Sequence, residues 1–365
     1  MGRRTLRNII IIVTTLTGLG LLMVYSSSGV ASAERLGDEF YFFRRQVAWL
    51  TLGLVMLGLA RFIRYESLPR LSGPFLLFSI ILLGLVFVPH LGRHVGGQYR
   101  WLKIGRFSFQ PAEIAKFSLI FYAADFISRR KDLTVKEFLP LVLVMSIIIG
   151  LIILQPDFGT AIIIAMLGGL ILFVGGVKVR YLLLPLLMAI PGFVYLIIKA
   201  PYRLNRILVF LHPEYDTAGT GYQMSQSFIA LGSGGFFGHG LGNGRQKLLY
   251  LPASHTDFIF AIIGEELGLL GTLTVVVLFM CLLWQGIKVA RFAPDLFGYY
   301  LALGITFFIS LQALVNMGVV SGLLPNKGTP LPFISFGGTS LVVNLLSIGI
   351  LLNIGEHSHH YSLFN

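Results

Sequence analysis

The chain is built as a succession of long apolar blocks, nearly free of charge, joined by short polar connections. A bilayer core about 30 Å thick takes roughly 20 apolar residues per crossing helix. Blocks of that order occupy residues 8–26, 44–61, 74–90, 110–128, 138–155, 159–177, 181–199, 257–284, 298–320 and 333–353. Composition closes the alternatives. Charged residues make up 12% of the 365, about half of the roughly 25% of a soluble domain. Hydrophobic residues make up 55% and the mean hydropathy is +0.82. The surface of a soluble enzyme, a disordered chain or a nucleic-acid binder cannot be made from this. The expectation is an all-α integral membrane protein with about ten transmembrane helices. Residues 1–365 then form a single polytopic domain, with one long extracytoplasmic loop, residues 200–256, between helices 7 and 8.

The first block follows Arg3, Arg4 and Arg7 and precedes Ala31-Ser32-Ala33, the pattern of a secretory signal peptide and its cleavage site. Its run from Ile9 to Tyr25 is long for a signal core and many spans follow, so an uncleaved first helix is expected. Lys and Arg divide almost evenly between the two faces; Arg3, Arg4, Arg7 and Arg129-Arg130-Lys131 tilt the N terminus to the cytoplasm. The near-tie is informative, because cations gathered on an outer face suit an anionic ligand such as a phosphate. The net charge of +12 points to anionic headgroups and to no nucleic acid. The single cysteine, Cys281, excludes a disulfide framework and reads as a small buried hydrophobe.

Several groups could carry chemistry. In Gln110-Pro111-Ala112-Glu113-Ile114-Ala115-Lys116 the proline suits the first turn of a helix, and i, i+3 spacing puts Glu113 and Lys116 on one face. Lys116 then lies about 9 Å deeper than Gln110. Ionisable groups at such depth pair or line a wet cavity, so the pair either locks helices or faces a substrate. In Gly96-Gly97-Gln98-Tyr99-Arg100-Trp101-Leu102-Lys103 the aromatics are interfacial anchors, and Arg100 offers a planar fork for a phosphate. The tract Gly232-Ser233-Gly234-Gly235-Phe236-Phe237-Gly238-His239-Gly240-Leu241-Gly242-Asn243-Gly244 lacks the Gly-Lys-Ser/Thr ending of a nucleotide loop. Its glycines serve tight turns and close backbone approach. Asp257 ends the long loop and opens an apolar run, where it either caps the helix or acts as a general base at the membrane mouth. His239 and His255 read as loop histidines, with no metal-ligand spacing. Glu265 and Glu266 receive no catalytic role.

Gly37-Asp38-Glu39-Phe40-Tyr41-Phe42-Phe43-Arg44-Arg45-Gln46, Gln110 to Lys116 and Gln155-Pro156-Asp157-Phe158-Gly159-Thr160 resemble the SEDS family. So do Gly221-Tyr222-Gln223, His255-Thr256-Asp257-Phe258-Ile259-Phe260, Gly264-Glu265-Glu266-Leu267-Gly268 and Pro332-Phe333-Ile334-Ser335-Phe336-Gly337-Gly338. The motifs run in the family's order over nearly the whole chain. FtsW-like division members fit best, beside RodA-like and SpoVE-like ones. The resemblance implies a ten-helix peptidoglycan glycosyltransferase of the bacterial cytoplasmic membrane, at the division septum. Such a protein polymerises lipid II on the outer face and works with a class B penicillin-binding transpeptidase and other division proteins. It makes Asp257 the catalytic base. It offers Arg45, Arg100, Lys116 and Lys327 as pyrophosphate ligands, Glu113 as the partner orienting Lys116, and His255, Thr256 and Gln223 as further substrate-binding residues. A divalent cation, Mg or Mn, is allowed by the resemblance, although no ligand set shows it.

One departure stands out. Family members often carry acidic residues where this chain has Ala253 and Leu249. Asp257 is then expected to be the only acid near the mouth, which favours one base over a two-carboxylate scheme. A lipid II flippase and a non-catalytic scaffold are the competing readings. The flippase draws on the buried Glu113 and Lys116 and on the Gly-rich connections, and the scaffold would tolerate Asp257→Asn.

Overall fold

The computed structural model describes residues 3–95, 98–105, 107–130, 134–199, 201–212, 216 and 219–357. Gly96, Gly97 and Lys131, singled out above, lie outside the described residues. Every apolar block centres on a helix: α1 (Arg3–Leu36), α2 (Tyr41–Phe62), α3 (Leu68–Leu85), α4 (Pro111–Ser128), α5 (Val135–Leu154), α6 (Phe158–Val174), α7 (Val179–Ile198), α10 (Ile259–Arg291), α11 (Leu296–Val320) and α12 (Gly338–His357). The connection 200–256 carries two further helices, α8 (Pro201–Leu211) and α9 (Thr220–Ser233). Among the described residues, Arg3–Glu34, Tyr41–Phe62, Tyr65–Leu85, Val135–Leu154, Ile259–Arg291, Leu296–Val320 and Gly338–His357 are long and apolar enough to cross a membrane. Phe158–Val174 is a shorter apolar helix.

Local chemistry sets the helix starts. Pro111 opens α4, where its missing N–H costs nothing. Thr134 and Glu137 form a reciprocal capping box on α5. The Asp295 carboxylate accepts the Gly298 N–H at 2.7 Å to cap α11. α4 is buried almost all round between α3 and α11. α12 packs chiefly on α2, where Gly349 lets its backbone meet that of Leu57, the close approach that small residues permit between membrane helices.

Three features differ from the sequence expectation. Between α3 and α4 the chain forms a small antiparallel sheet in the order β1-β2-β3, with β1 (Gly92–Val95), β2 (Gln98–Ile104) and β3 (Phe107–Phe109). Its Leu102 packs on Leu82 and Val86 at the end of α3. Cys281 is exposed, not buried; it lies on an outer face of α10, where lipid replaces protein as the apolar surrounding. Third, α10 is broken at Gly268, whose φ of 65° and ψ of −161° leave the helical region. The Gly-rich tract repairs the break: His239 and Gly240 donate backbone N–H groups to the carbonyls of Glu265 and Glu266 at 3.0 and 2.9 Å, and the N–H groups of Leu269 and Leu270 donate to Gly235 and Phe236. Backbone groups released within a membrane protein need such partners.

Candidate active site

The loop 251–258 leads into α10 as a chain of tight turns. The residue at the helix boundary is Phe258, and no side chain caps it, so Asp257 is not the capping residue that its position suggested. Its backbone is fixed instead. The Asn316 amide of α11 donates to the carbonyls of Asp257 and Thr329 at 2.8 and 2.6 Å. One residue earlier, the Ser335 hydroxyl donates to the Thr256 carbonyl at 2.6 Å, and the Phe336 N–H donates to that of His255 at 2.9 Å. Two loops distant in sequence, 255–257 and 329–336, are thereby clamped together. The clamp leaves the Asp257 carboxylate beside Gly328, where an added Cβ would meet Oδ2 at 2.7 Å.

Lys327 extends from the same loop. Its aliphatic stem lies over Gly159 at the start of α6, where a larger residue would displace it. Its ammonium nitrogen is shielded from solvent and makes no hydrogen bond among the described residues. Burial brings the ammonium down to about 7; the charges of Lys116 and Arg100 add to the fall, while Asp157 and Glu113 oppose it. Burial pushes the Asp257 carboxyl up to about 6 against the pull of Lys327, Arg100 and Arg206, and Asp157 adds to the rise. Burial disfavours whichever form is charged, which explains the opposite directions of the two shifts.

Around these two stands a second tier. Arg100, on β2, donates from Nη2 to the Pro156 carbonyl at 2.6 Å and approaches the Asp157 carboxylate at 3.6 Å. Asp157 also caps α6 by accepting the Thr160 N–H at 3.2 Å. Lys116 donates to Glu113 at 2.7 Å and lies 5.6 Å from the centre of the Phe308 ring. The other Glu113 oxygen accepts from Gln312 at 3.4 Å. Gln223, on α9, accepts from Asn326 at 3.2 Å, next to Lys327.

The expected residues therefore divide. Asp257, Lys327, Arg100, Lys116 and Glu113 share one electrostatic neighbourhood, and Gln223 joins its rim. Thr256 turns its hydroxyl to the Ala253 carbonyl at 3.2 Å and stabilises its own turn. His255 packs at 4.4 Å between ring centres on Phe42 and at 5.9 Å on Phe336. Arg45 donates to the Tyr41 hydroxyl at 2.8 Å, and no contact among the described residues joins it to Asp257. The expectation of a single acid at the mouth is overturned, because Asp157 acts on the Asp257 carboxyl as well. Asp157 stood in a quoted motif but had no assigned role; its signal is the Asp two residues before a Gly at a helix start. Arg206, on α8, was also missed, for want of any motif around it.

These residues do not form a divalent-ion site. Among the described residues no three His, Cys, Asp or Glu side chains gather in a ligand-like group, and Asp157 and Asp257 are interleaved with Lys327 and Arg100. No step below passes through a metal.

A multi-pass helical membrane protein with carboxylates and cations converging at one mouth of the bundle is the class that fold and site define. A family model described as a cell cycle protein, FTSW_RODA_SPOVE, matches residues 6–360. The chain is 42% identical over 350 residues, 95% of each sequence, to the probable peptidoglycan glycosyltransferase FtsW of Geobacter sp. (strain M18). It is 39% identical over 355 residues, 96% of this chain and 97% of the relative, to stage V sporulation protein E of Bacillus subtilis (strain 168). Among solved structures it resembles a chain of a peptidoglycan synthase complex with a TM-score of 0.78 at 27% identity, covering 97% of this chain and 98% of that one. It also resembles the rod shape determining protein RodA of Thermus thermophilus with a TM-score of 0.72 at 27% identity, covering 97% of each chain. The protein belongs to the FtsW/RodA/SpoVE family.

Proposed function

We propose that this protein is a peptidoglycan glycosyltransferase that polymerises lipid II into β-1,4 glycan strands at the outer face of the bacterial cytoplasmic membrane. The observation that carries the reading is the pairing at one mouth of a carboxylate pushed up to about 6 by burial, Asp257, with a shielded ammonium that has no hydrogen-bond partner among the described residues, Lys327. The Asp257 carboxylate accepts the proton of the GlcNAc 4-hydroxyl of one lipid-linked disaccharide. The oxygen attacks the anomeric carbon of the second. The bond from that carbon to undecaprenyl pyrophosphate breaks, its electron pair leaves with the pyrophosphate, and the α linkage inverts to β. A base works best when its pKa lies near the working pH, and fixed cations act where negative charge develops. Lys327 and Arg100 supply that charge, with Lys116, oriented by Glu113, buried further into the bundle. Asp157 positions Arg100 and stays committed to the α6 cap, so it is not a second base.

In this reading residues 1–365 work as one polytopic unit and residues 200–256 face the extracytoplasmic side. The unit acts at the division septum beside a class B penicillin-binding transpeptidase, which crosslinks the strand.

The test is polymerisation of labelled lipid II by purified protein, with and without that transpeptidase, against Asp257→Asn of equal folding. A glycan ladder from the wild type that the variant loses supports the reading. A ladder from both removes Asp257 as the base. No ladder even with the partner, alongside lipid II translocation in vesicles, replaces the enzyme with a flippase.

A further inference from the structure

At the end of the bundle remote from Asp257, the structure holds a cavity of about 390 Å³ lined by Arg3, Leu6, Arg7, Ile10, Ile11, Arg61, Leu352 and Glu356. It lies on the side of the N terminus. Ser26, which reaches Glu266 near the catalytic loop, is about 35 Å further along α1 than Arg3, so the cavity and the active site are separate. We propose that this cavity binds the headgroup of one anionic phospholipid from the leaflet on the N-terminal side, with the phosphate held by Arg3, Arg7 and Arg61.

Three observations carry the assignment. The first is charge. Arg61 is engaged by Glu356, with Nε 2.8 Å from Oε1, while Arg3 and Arg7 make no ion pair among the described residues. Three guanidinium groups face one carboxylate, so the cavity is net positive, and a planar fork is the side chain suited to a phosphate.

The second is the arrangement along the membrane normal. Arg3, Leu6, Arg7, Ile10 and Ile11 follow helical spacing and form one face of α1. The arginines come first, and Ile10 and Ile11, 42% and 54% exposed, come one to two turns deeper. A polar, positive entrance that runs directly into exposed aliphatic wall suits a headgroup whose acyl chains continue along the helix. A free phosphate would use only the entrance. Basic pockets between membrane helices are general sites for anionic headgroups.

The third is preorganisation. The Asn353 amide of α12 lies 3.0 Å from the carbonyls of Ala60 and Arg61 and 2.7 Å from that of Ile63. This grip fixes the end of α2 and hence the root of Arg61. Leu6 also packs against Gly355, which allows α1 to close on α12. The cavity is a junction of α1, α2 and α12 held by the fold itself.

The test uses the full chain purified in detergent, with native mass spectrometry reading the lipids retained from an equimolar mixture of phosphatidylglycerol and phosphatidylcholine. The wild type should retain one phosphatidylglycerol in preference. Arg3→Gln with Arg7→Gln should weaken that retention roughly 30-fold, at about fivefold per arginine near a membrane surface. Arg4→Gln removes the same charge from the neighbouring position, which does not line the cavity, and should change little. Ile10→Trp keeps every charge but fills the cavity, and should lose retention as the double variant does. An equal loss in Arg4→Gln would reduce the effect to a diffuse positive field and overturn the proposal. So would absence of preference in the wild type, undiminished retention in Ile10→Trp, or displacement of the lipid by glycerol 3-phosphate at comparable concentration.

Discussion

The side-chain amide of Asn316, buried near the end of α11, lies 2.8 Å from the backbone carbonyl of Asp257. Since the same amide reaches Thr329 at 2.6 Å, one side chain sets the distance between the loop bearing the carboxylate and the loop bearing Lys327. Asn316→Leu leaves the buried Thr329 carbonyl without that donor, at about 1–3 kcal/mol, and the half-buried Asp257 carbonyl without it at a smaller cost. Thermal stability in detergent should fall accordingly. Lipid II turnover per folded molecule should fall further, because misplacing a catalytic group by 1 Å costs on the order of 100-fold. Turnover unchanged per folded molecule would show that the clamp serves stability alone.

Gly328 isolates the position of the carboxylate. In Gly328→Ala the new methyl would press on Asp257 Oδ2, 2.7 Å away, and the carboxylate must turn. The expected result is a kcat reduced about tenfold or more with little change in KM, since the interaction lost is one made in the transition state. Gly18, whose added Cβ meets nothing within 4 Å, provides the matched control: Gly18→Ala should polymerise normally.

The pH profile follows from the signs of the two shifts. Asp257 must be ionised to accept a proton, so kcat/KM rises with pH through about 6. Lys327 must be protonated to hold the leaving group, so kcat/KM falls as pH passes about 7. A narrow bell is expected at low lipid II concentration, where the free enzyme's groups are reported. Lys327→Arg keeps its charge at every accessible pH and should carry the falling limb upward while the rising limb stays. A flat profile between pH 5 and 8 would disconnect both groups from the chemistry.

Lys247 and Glu266 form a buried pair at 2.6 Å, and Glu266 also accepts from Ser26 of α1 at 2.8 Å. Breaking such a pair from one side costs about 3–5 kcal/mol, whereas replacing both partners by apolar residues is often neutral. Lys247→Met should therefore lower the unfolding temperature sharply, and Lys247→Met with Glu266→Met should recover much of the loss. A double variant as unstable as the single one would mean that the loop depends on charge itself.

The helical blocks were legible because burial in lipid leaves a long uncharged run, and each of the ten blocks centres on a helix. Their ends were less so. The block at 74–90 is displaced along the chain: α3 opens at Leu68, with Pro69 in its first turn and Pro74 inside it, and closes at Leu85. The apolar stretch 333–337 reads as membrane helix, yet Phe333 has a φ of 66° and the stretch clamps the loop of Asp257; burial against protein and burial in lipid select the same residue types. β2 was not legible, because Tyr99 and Trp101 suit a membrane boundary as well as a strand and the run from Gln98 to Ile104 has no clear alternation of apolar and polar residues. At the site, Asp257 was legible as an acid at a helix start with two readings, cap or base, whereas Lys327 entered only with the family resemblance, because the loops that carry the two meet only through the fold. The Arg100 contact with Asp157 left no local trace, since its partners lie on a strand and a helix start that chain spacing does not relate. Glu265 and Glu266, given no role from the sequence, make structural contacts that local spacing could not show. Glu265 accepts the N–H groups of Arg245 at 2.7 Å and Gln246 at 3.2 Å, and with Glu266 it anchors the glycine tract.

The break at Gly268 divides α10 mechanically. Its outer half is stitched to the glycine tract and, through Glu266 and Ser26, to α1, so Asp257 rides on a braced platform. Its inner half, ending at Lys288 and Arg291, joins that platform through a single left-handed residue rather than a continuous ladder of hydrogen bonds. A neighbour leaning on the inner half can tilt it while the base keeps its aim. Motion of the inner half and the aim of the base are thereby separable, since the backbone groups that would link them are bonded to the glycine tract instead.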